Sequence, residues 1–93
     1  MDEPLDPVAA KRLIAEILES GTWICSDHAR REMDRDNMSD QDAINILRAG
    51  VHTPAEWENG RWRYRAHTGK MEVVVQFESE TELRIITAWR YKR

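Results

Sequence analysis

Apolar positions recur with helical spacing over the first half of the chain and alternate with a period of two over the second. Val8, Leu13, Ile14, Ile17 and Leu18 share one helical face, Asp6 and Pro7 supply an N-cap and a first helical residue, and Gly21 stops the run. The pattern predicts a helix over 7–20. Thr22 to Cys25 reads as a short apolar connector. Ser26 or Asp27 can then cap a second helix over 27–35, in which Ala29 and Met33 are the apolar i, i+4 pair. Ser39 and Asp42 form a capping-box pattern ahead of Ala43, Ile44 and Leu47, and Gly50 stands where a left-handed C-terminal residue is expected, which predicts a third helix over 40–49.

Beyond Gly50 the period of two predicts strands at 55–58, 61–67, 70–78 and 82–90. Asn59-Gly60 is a hairpin turn signal, Thr68-Gly69 a second, and Ser79 to Thr81 a three-residue loop. Pairing through these turns sets Trp62, Tyr64 and Ala66 opposite Val75, Val73 and Met71, and sets Phe77, Val75, Val73 and Met71 opposite Leu83, Ile85, Thr87 and Trp89. One face is then apolar throughout, as a buried face requires. The expected fold is α+β: three N-terminal helices packed on one face of a three- to four-stranded antiparallel meander, in a single domain.

The same register gathers Arg61, Arg63, Arg65 and His67 on the opposite face. Glu72, Val74 and Gln76 lie beside them, and Arg84, Ile86, Ala88 and Arg90 beyond. Guanidinium groups fork onto phosphate oxygens, and an imidazole exchanges protons near neutral pH, so this face has parts for binding a phosphodiester and for acid–base work. The plainer reading is a solvated polar face in which Arg65 merely pairs with Glu72, a contact of small net worth when exposed.

Charge sharpens this contrast. The chain carries a net −3, yet residues 1–60 hold six Lys and Arg against thirteen Asp and Glu, whereas residues 61–93 hold eight against four. A local anion-binding surface is compatible with that division; indiscriminate coating of nucleic acid is not. The longest apolar runs are far shorter than the ~20 residues of a membrane span, and the acidic start does not resemble a signal peptide, so a cytoplasmic protein without membrane contact is expected. Cys25 is the one cysteine. It reads as a small hydrophobe rather than as a nucleophile served by His28. His28, His52 and His67 lack metal-ligand spacing, and no glycine-rich phosphate loop is present, so neither metal nor cofactor is assigned.

Ser26-Asp27-His28-Ala29, Glu32-Met33, Asp36, Glu58-Asn59-Gly60, Trp62-Arg63-Tyr64-Arg65, Val73-Val74 and Thr87-Ala88-Trp89-Arg90 stand in an order and spacing that resemble the bacterial domain-of-unknown-function family 4258, over about residues 22–91. The commoner pattern of that family has arginines where this chain has Glu32 and Asp36, and glycine where it has Asn37. The resemblance implies kinship with RelE-like and BrnT-like toxins of type II toxin–antitoxin systems, and a zinc-finger antitoxin of the YgiT type as partner. Carried over, it implies a metal-independent endoribonuclease in which Arg65 stabilises the transition state, His28 or His67 moves protons, and Arg61, Arg63, Arg84 and Arg90 contact RNA. Of these, His28, Arg65 and Arg90 match family motifs, whereas His67 is placed by register alone. The alternative is a non-catalytic protein- or RNA-binding module, which the low pI of about 5.6 favours.

Overall fold

The computed structural model describes residues 1–91. Its elements in chain order are α1 (Pro7–Ser20), β1 (Thr22–Cys25), α2 (Asp27–Arg35), α3 (Asp40–Ala49), β2 (Val51–His52), β3 (Glu56–Glu58), β4 (Arg61–His67), β5 (Met71–Ser79) and β6 (Glu82–Arg90). Each helix is started by a side chain that satisfies an otherwise orphaned backbone N–H. Asp6 Oδ1 accepts from Ala9 N at 2.8 Å, Ser26 Oγ from Ala29 N at 3.0 Å, and Ser39 Oγ from Asp42 N at 3.1 Å, with Asp42 returning the bond to Ser39 N to complete a capping box.

The sheet corrects the expected fold. It has six strands in the order β1-β6-β5-β4-β2, with β3 also pairing β4, and β1 joins β6 in parallel through Thr22↔Glu82 to Cys25↔Ile85. This mixed sheet replaces the expected RelE-like arrangement of three helices on a three- to four-stranded antiparallel meander. The cause is the supposed connector. Thr22-Trp23-Ile24-Cys25 is β-branched and aromatic enough for a strand, but its partner lies some sixty residues on, and a parallel pair has no hairpin to announce it. Gly50 is a second correction, since its backbone is extended at φ −73° and ψ 174°. Glycine is needed there for space: a Cβ would stand 2.6 Å from Ile46 O and 2.8 Å from His67 O. Asn59 and Gly60, at φ 52° and 77°, form the expected β3–β4 turn.

Of three register changes, the one between Phe77 and Ser79 pairs Ser79 with Glu82 and shortens the expected Ser79 to Thr81 loop, and the other two decide which side chains share a face near the β4–β5 turn. At the β4–β5 turn His67 pairs with Glu72, so Tyr64 faces Val75 and Ala66 faces Val73, two residues from the expected register. An even shift leaves every side chain on its predicted side. The second change, on β6, is odd. Val75 faces Ile85 as expected, but Val74 faces Thr87 and Val73 faces Ala88, leaving Ile86 as a bulge. Beyond it the strand turns over. Ala88 and Arg90 go to the helix side, and Thr87 and Trp89 to the outer side.

The core is one cluster in which Ile14, Ile17, Met33, Ile46 and Leu47 of the helices meet Tyr64, Val73, Val75, Leu83 and Ile85 of the sheet. Tyr64 packs edge-on against Phe77 with ring centroids 4.9 Å apart. Its hydroxyl accepts from Leu5 N at 3.1 Å and donates to Glu3 Oε2 at 2.7 Å, pinning the N-terminal segment over the sheet. Burial, with the Glu3 carboxylate beside it, pushes the Tyr64 phenol up from 10.0 to about 12. A raised phenol stabilises the fold below its unfolded value and loses that contribution as pH climbs through the folded one. Stability should therefore fall between about pH 10 and 12, and Tyr64→Phe should flatten that part of a denaturant-melt series.

Candidate nucleic-acid interface

The outer sheet face is organised by glutamates placed between arginines. β4 alternates Arg61, Arg63 and Arg65 on this side, and β5 contributes Glu72, Val74, Gln76 and Glu78. Glu78 accepts from Arg61 Nη2 at 2.7 Å, from Gln76 Nε2 at 2.9 Å and from Arg84 Nε at 3.1 Å. Partial burial alone would raise its carboxyl, but these three hydrogen bonds outweigh it and hold the group below its ordinary value.

The end of the face nearest the β4–β5 turn holds a denser set. Arg65 donates from Nη1 to Glu72 Oε2 and from Nε to Glu56 Oε1 at 3.2 Å, and its guanidinium carbon lies 5.9 Å from the centre of the Trp89 ring. Glu72, only 7% exposed, accepts at its other oxygen from the Tyr91 hydroxyl at 2.7 Å. His67 is the direct cross-strand neighbour of Glu72. A guanidinium, a carboxylate, a phenol and an imidazole thus occupy one corner, beside an indole able to stack. Arg65 Nη2 has no protein hydrogen bond among the described residues and remains free for a ligand oxygen.

The β6 edge is finished by α2. β1 covers β6 only as far as Ile85. From there Glu32 Oε1 accepts from the Thr87 hydroxyl and from Ala88 N at 3.2 Å, and Asp36 Oδ2 accepts from Arg90 N at 3.0 Å. Carboxylates four residues apart on a helix rise about 6 Å, close to the roughly 6.8 Å between alternate strand N–H groups. The two acids therefore do the work of a neighbouring strand.

Over residues 25–90 the chain matches a family model described as Domain of unknown function (DUF4258). The chain belongs to this family. No curated protein matches it, and no solved structure does. Three polar residues of α2 and its end have structural work: Glu32 and Asp36 seal the β6 edge, and Asn37 sits at φ 55°, where glycine is the easiest residue and asparagine a tolerated one.

Of the residues singled out in this family member, Arg61, Arg63, Arg65, Arg84 and His67 do share the outer face. Arg90 does not. The bulge turns it inward, where Nε donates to Asp36 O at 3.2 Å and Nη2 to Asn37 O at 3.1 Å, closing the C-terminal end of α2. His28 is 63% exposed in the first turn of α2, its Nε2 3.2 Å from Glu32 Oε1. It lies two strands away from Arg65, beside Thr87, and does not join the corner. Cys25 receives an Arg30 N–H at 3.4 Å, but burial pushes its thiol up, the wrong direction for a nucleophile. Among the described residues no three His, Cys, Asp or Glu side chains come together as metal ligands, and no helix is long and apolar enough to cross a membrane. Sequence reasoning placed Glu72 beside Arg65 and read it as the partner of an Arg65 ion pair, which the structure shows, but missed Tyr91 because it follows the last strand. The signal for Glu72 was a lone acid inside the apolar run of β5.

Proposed function

We propose that the protein is the toxin of a type II toxin–antitoxin pair and cleaves RNA without a metal ion at the corner formed by Arg65, His67, Glu72 and Tyr91. The observation that supports this reading is the convergence there of an ion-paired arginine, an available imidazole and a phenol beside the Trp89 ring. In this scheme His67 takes the proton of a ribose 2′-hydroxyl, and the 2′-oxygen bonds to the adjacent phosphorus. The bond from phosphorus to the 5′-oxygen breaks, and that oxygen takes a proton from solvent. The products are a 2′,3′-cyclic phosphate and a 5′-hydroxyl. Arg65 stabilises the charge gathering on the phosphate oxygens, while Glu72 holds both Arg65 and Tyr91 in place. A zinc-finger antitoxin of the YgiT type, covering this face, would block access.

A second reading, a non-catalytic binding module, draws support from the glutamates. Glu78 on Arg61 and Arg84, and Glu56 and Glu72 on Arg65, bring the face close to charge balance, which suits a protein partner better than a bare polyanion. Tightly controlled induction in bacteria separates the two. The toxin reading expects growth arrest by the wild type and none by Arg65→Ala, with both proteins accumulating in soluble form. Equal growth at equal abundance would move the binding module to first place.

A further inference from the structure

Of the four tryptophans, Trp57 alone is exposed, at 62%. It stands in the middle of β3, whose one strand partner among the described residues is β4. Trp62, directly opposite on β4, packs against the core, and the two rings meet edge-on with centroids 5.1 Å apart. Trp57 therefore lies on the helix side of the sheet, past the cover of the helices. The two-residue turn at Asn59-Gly60 makes Glu58 and Arg61 a hydrogen-bonded pair. Alternation then leaves the Trp57 N–H and C=O pointing away from β4, toward solvent. An open strand edge with a bare indole beside it is a template for another strand.

The acids that flank Trp57 decide what can take this edge. Glu56 and Glu58 are on the outer face, opposite Arg63 and Arg61. A second copy paired antiparallel about Trp57 would set each Glu56 against a Glu58, and like charges directly opposite oppose pairing. A polyanion meets the same two acids. Glu56 engages Arg65, but Arg61 turns to Glu78, which leaves Glu58 without an ion pair among the described residues. The geometry points to β3 as the docking edge for an extended segment of another protein in which basic residues alternate with apolar ones. One apolar residue of that segment exchanges hydrogen bonds with the Trp57 backbone and packs on the indole, while the basic residues on either side of it meet Glu56 and Glu58. This goes beyond the ribonuclease reading and does not depend on it, since neither Trp57 nor Glu58 touches the corner at Arg65.

The test titrates a blocked heptapeptide of alternating lysine and valine, with lysine at both ends, into the 15N-labelled chain. Two control peptides carry glutamate for lysine, or proline for the central valine. The first peptide should give saturable shifts of the Trp57 indole and the β3 amides, and should slow hydrogen exchange at the Trp57 N–H about tenfold at nine-tenths saturation. The controls should leave those signals unmoved. Trp57→Thr, which keeps a strand former at an exposed position, should weaken the peptide about tenfold. Glu58→Lys should weaken it about threefold or more while leaving the fold intact. Shifts confined to other acidic surfaces, an unchanged exchange rate at the Trp57 N–H, or variants that bind as the wild type does would each overturn the inference. So would a single-stranded RNA that moves the same signals. Sedimentation of the chain alone should show a monomer; a dimer lost in Trp57→Thr would give the edge to a second copy and overturn the assignment to another protein.

Discussion

Glu32→Ala is expected to lower stability by about 2–4 kcal/mol, since each buried donor left without its acceptor costs about 1–3 kcal/mol. The carboxylate is 15% exposed and serves the Thr87 hydroxyl and the Ala88 N–H together. With alanine there, the Thr87 hydroxyl and the Ala88 N–H have neither a strand nor a carboxylate to meet them, although Asp36 still serves Arg90 N further along the edge. In a domain of this size the melting temperature should drop by roughly 10–20 °C. Glu32→Gln keeps one acceptor oxygen and should lose less than half as much. A Glu32→Ala melt within about 2 °C of the wild type would show that α2 does not hold this edge. The same logic makes Asp36→Ala destabilising through Arg90 N, though by less, because Arg90 also grips the α2 end through backbone carbonyls.

The second large effect concerns chemistry. His67→Ala should reduce RNA cleavage by about 10²–10⁴, the usual range for loss of a positioned general base. Its fold should survive, since His67 makes no side-chain hydrogen bond among the described residues. Glu72→Gln should also cost activity, by a different route. It weakens the grip on Arg65 and on the Tyr91 hydroxyl, which leaves both groups misdirected. Because Glu72 touches no reacting atom in this scheme, it is a positioning residue, and its variant should flatten the acidic or basic limb of the pH–rate profile less than His67→Ala does. Full activity in His67→Ala would remove the imidazole from the mechanism.

How much of this was legible in the sequence depends on whether a feature is local. The helix starts are local: Asp6, Ser26 and Ser39 each act within three residues of themselves, and the Asn59-Gly60 turn needs only its own two backbones. The face on which Arg61, Arg63, Arg65 and His67 lie is nearly local, because the error in the β4–β5 turn was two residues and parity survived it. β1 was not legible, since its partner is distant and parallel. Nor was the bulge at Ile86. Nothing in Ile85-Ile86-Thr87 distinguishes an even from an odd count, yet that one residue moves Ala88 and Arg90 inward and brings Thr87 and Trp89 out. The indole beside Arg65 and the seal at Glu32 both follow from it. Placing Arg90 on the outer face was the direct consequence of counting through the bulge, and Tyr91 was overlooked because it lies past the strand that alternation describes.

The central claim is that the corner at Arg65, His67, Glu72 and Tyr91 cuts RNA. The most direct measurement incubates the purified chain with single-stranded RNA in excess chelator and maps the ends produced, with folded His67→Ala alongside. The account predicts 2′,3′-cyclic phosphate and 5′-hydroxyl ends from the wild type and a loss of about a hundredfold or more in the variant. Intact RNA with the wild type, under conditions where it is folded and binds that RNA, would contradict it.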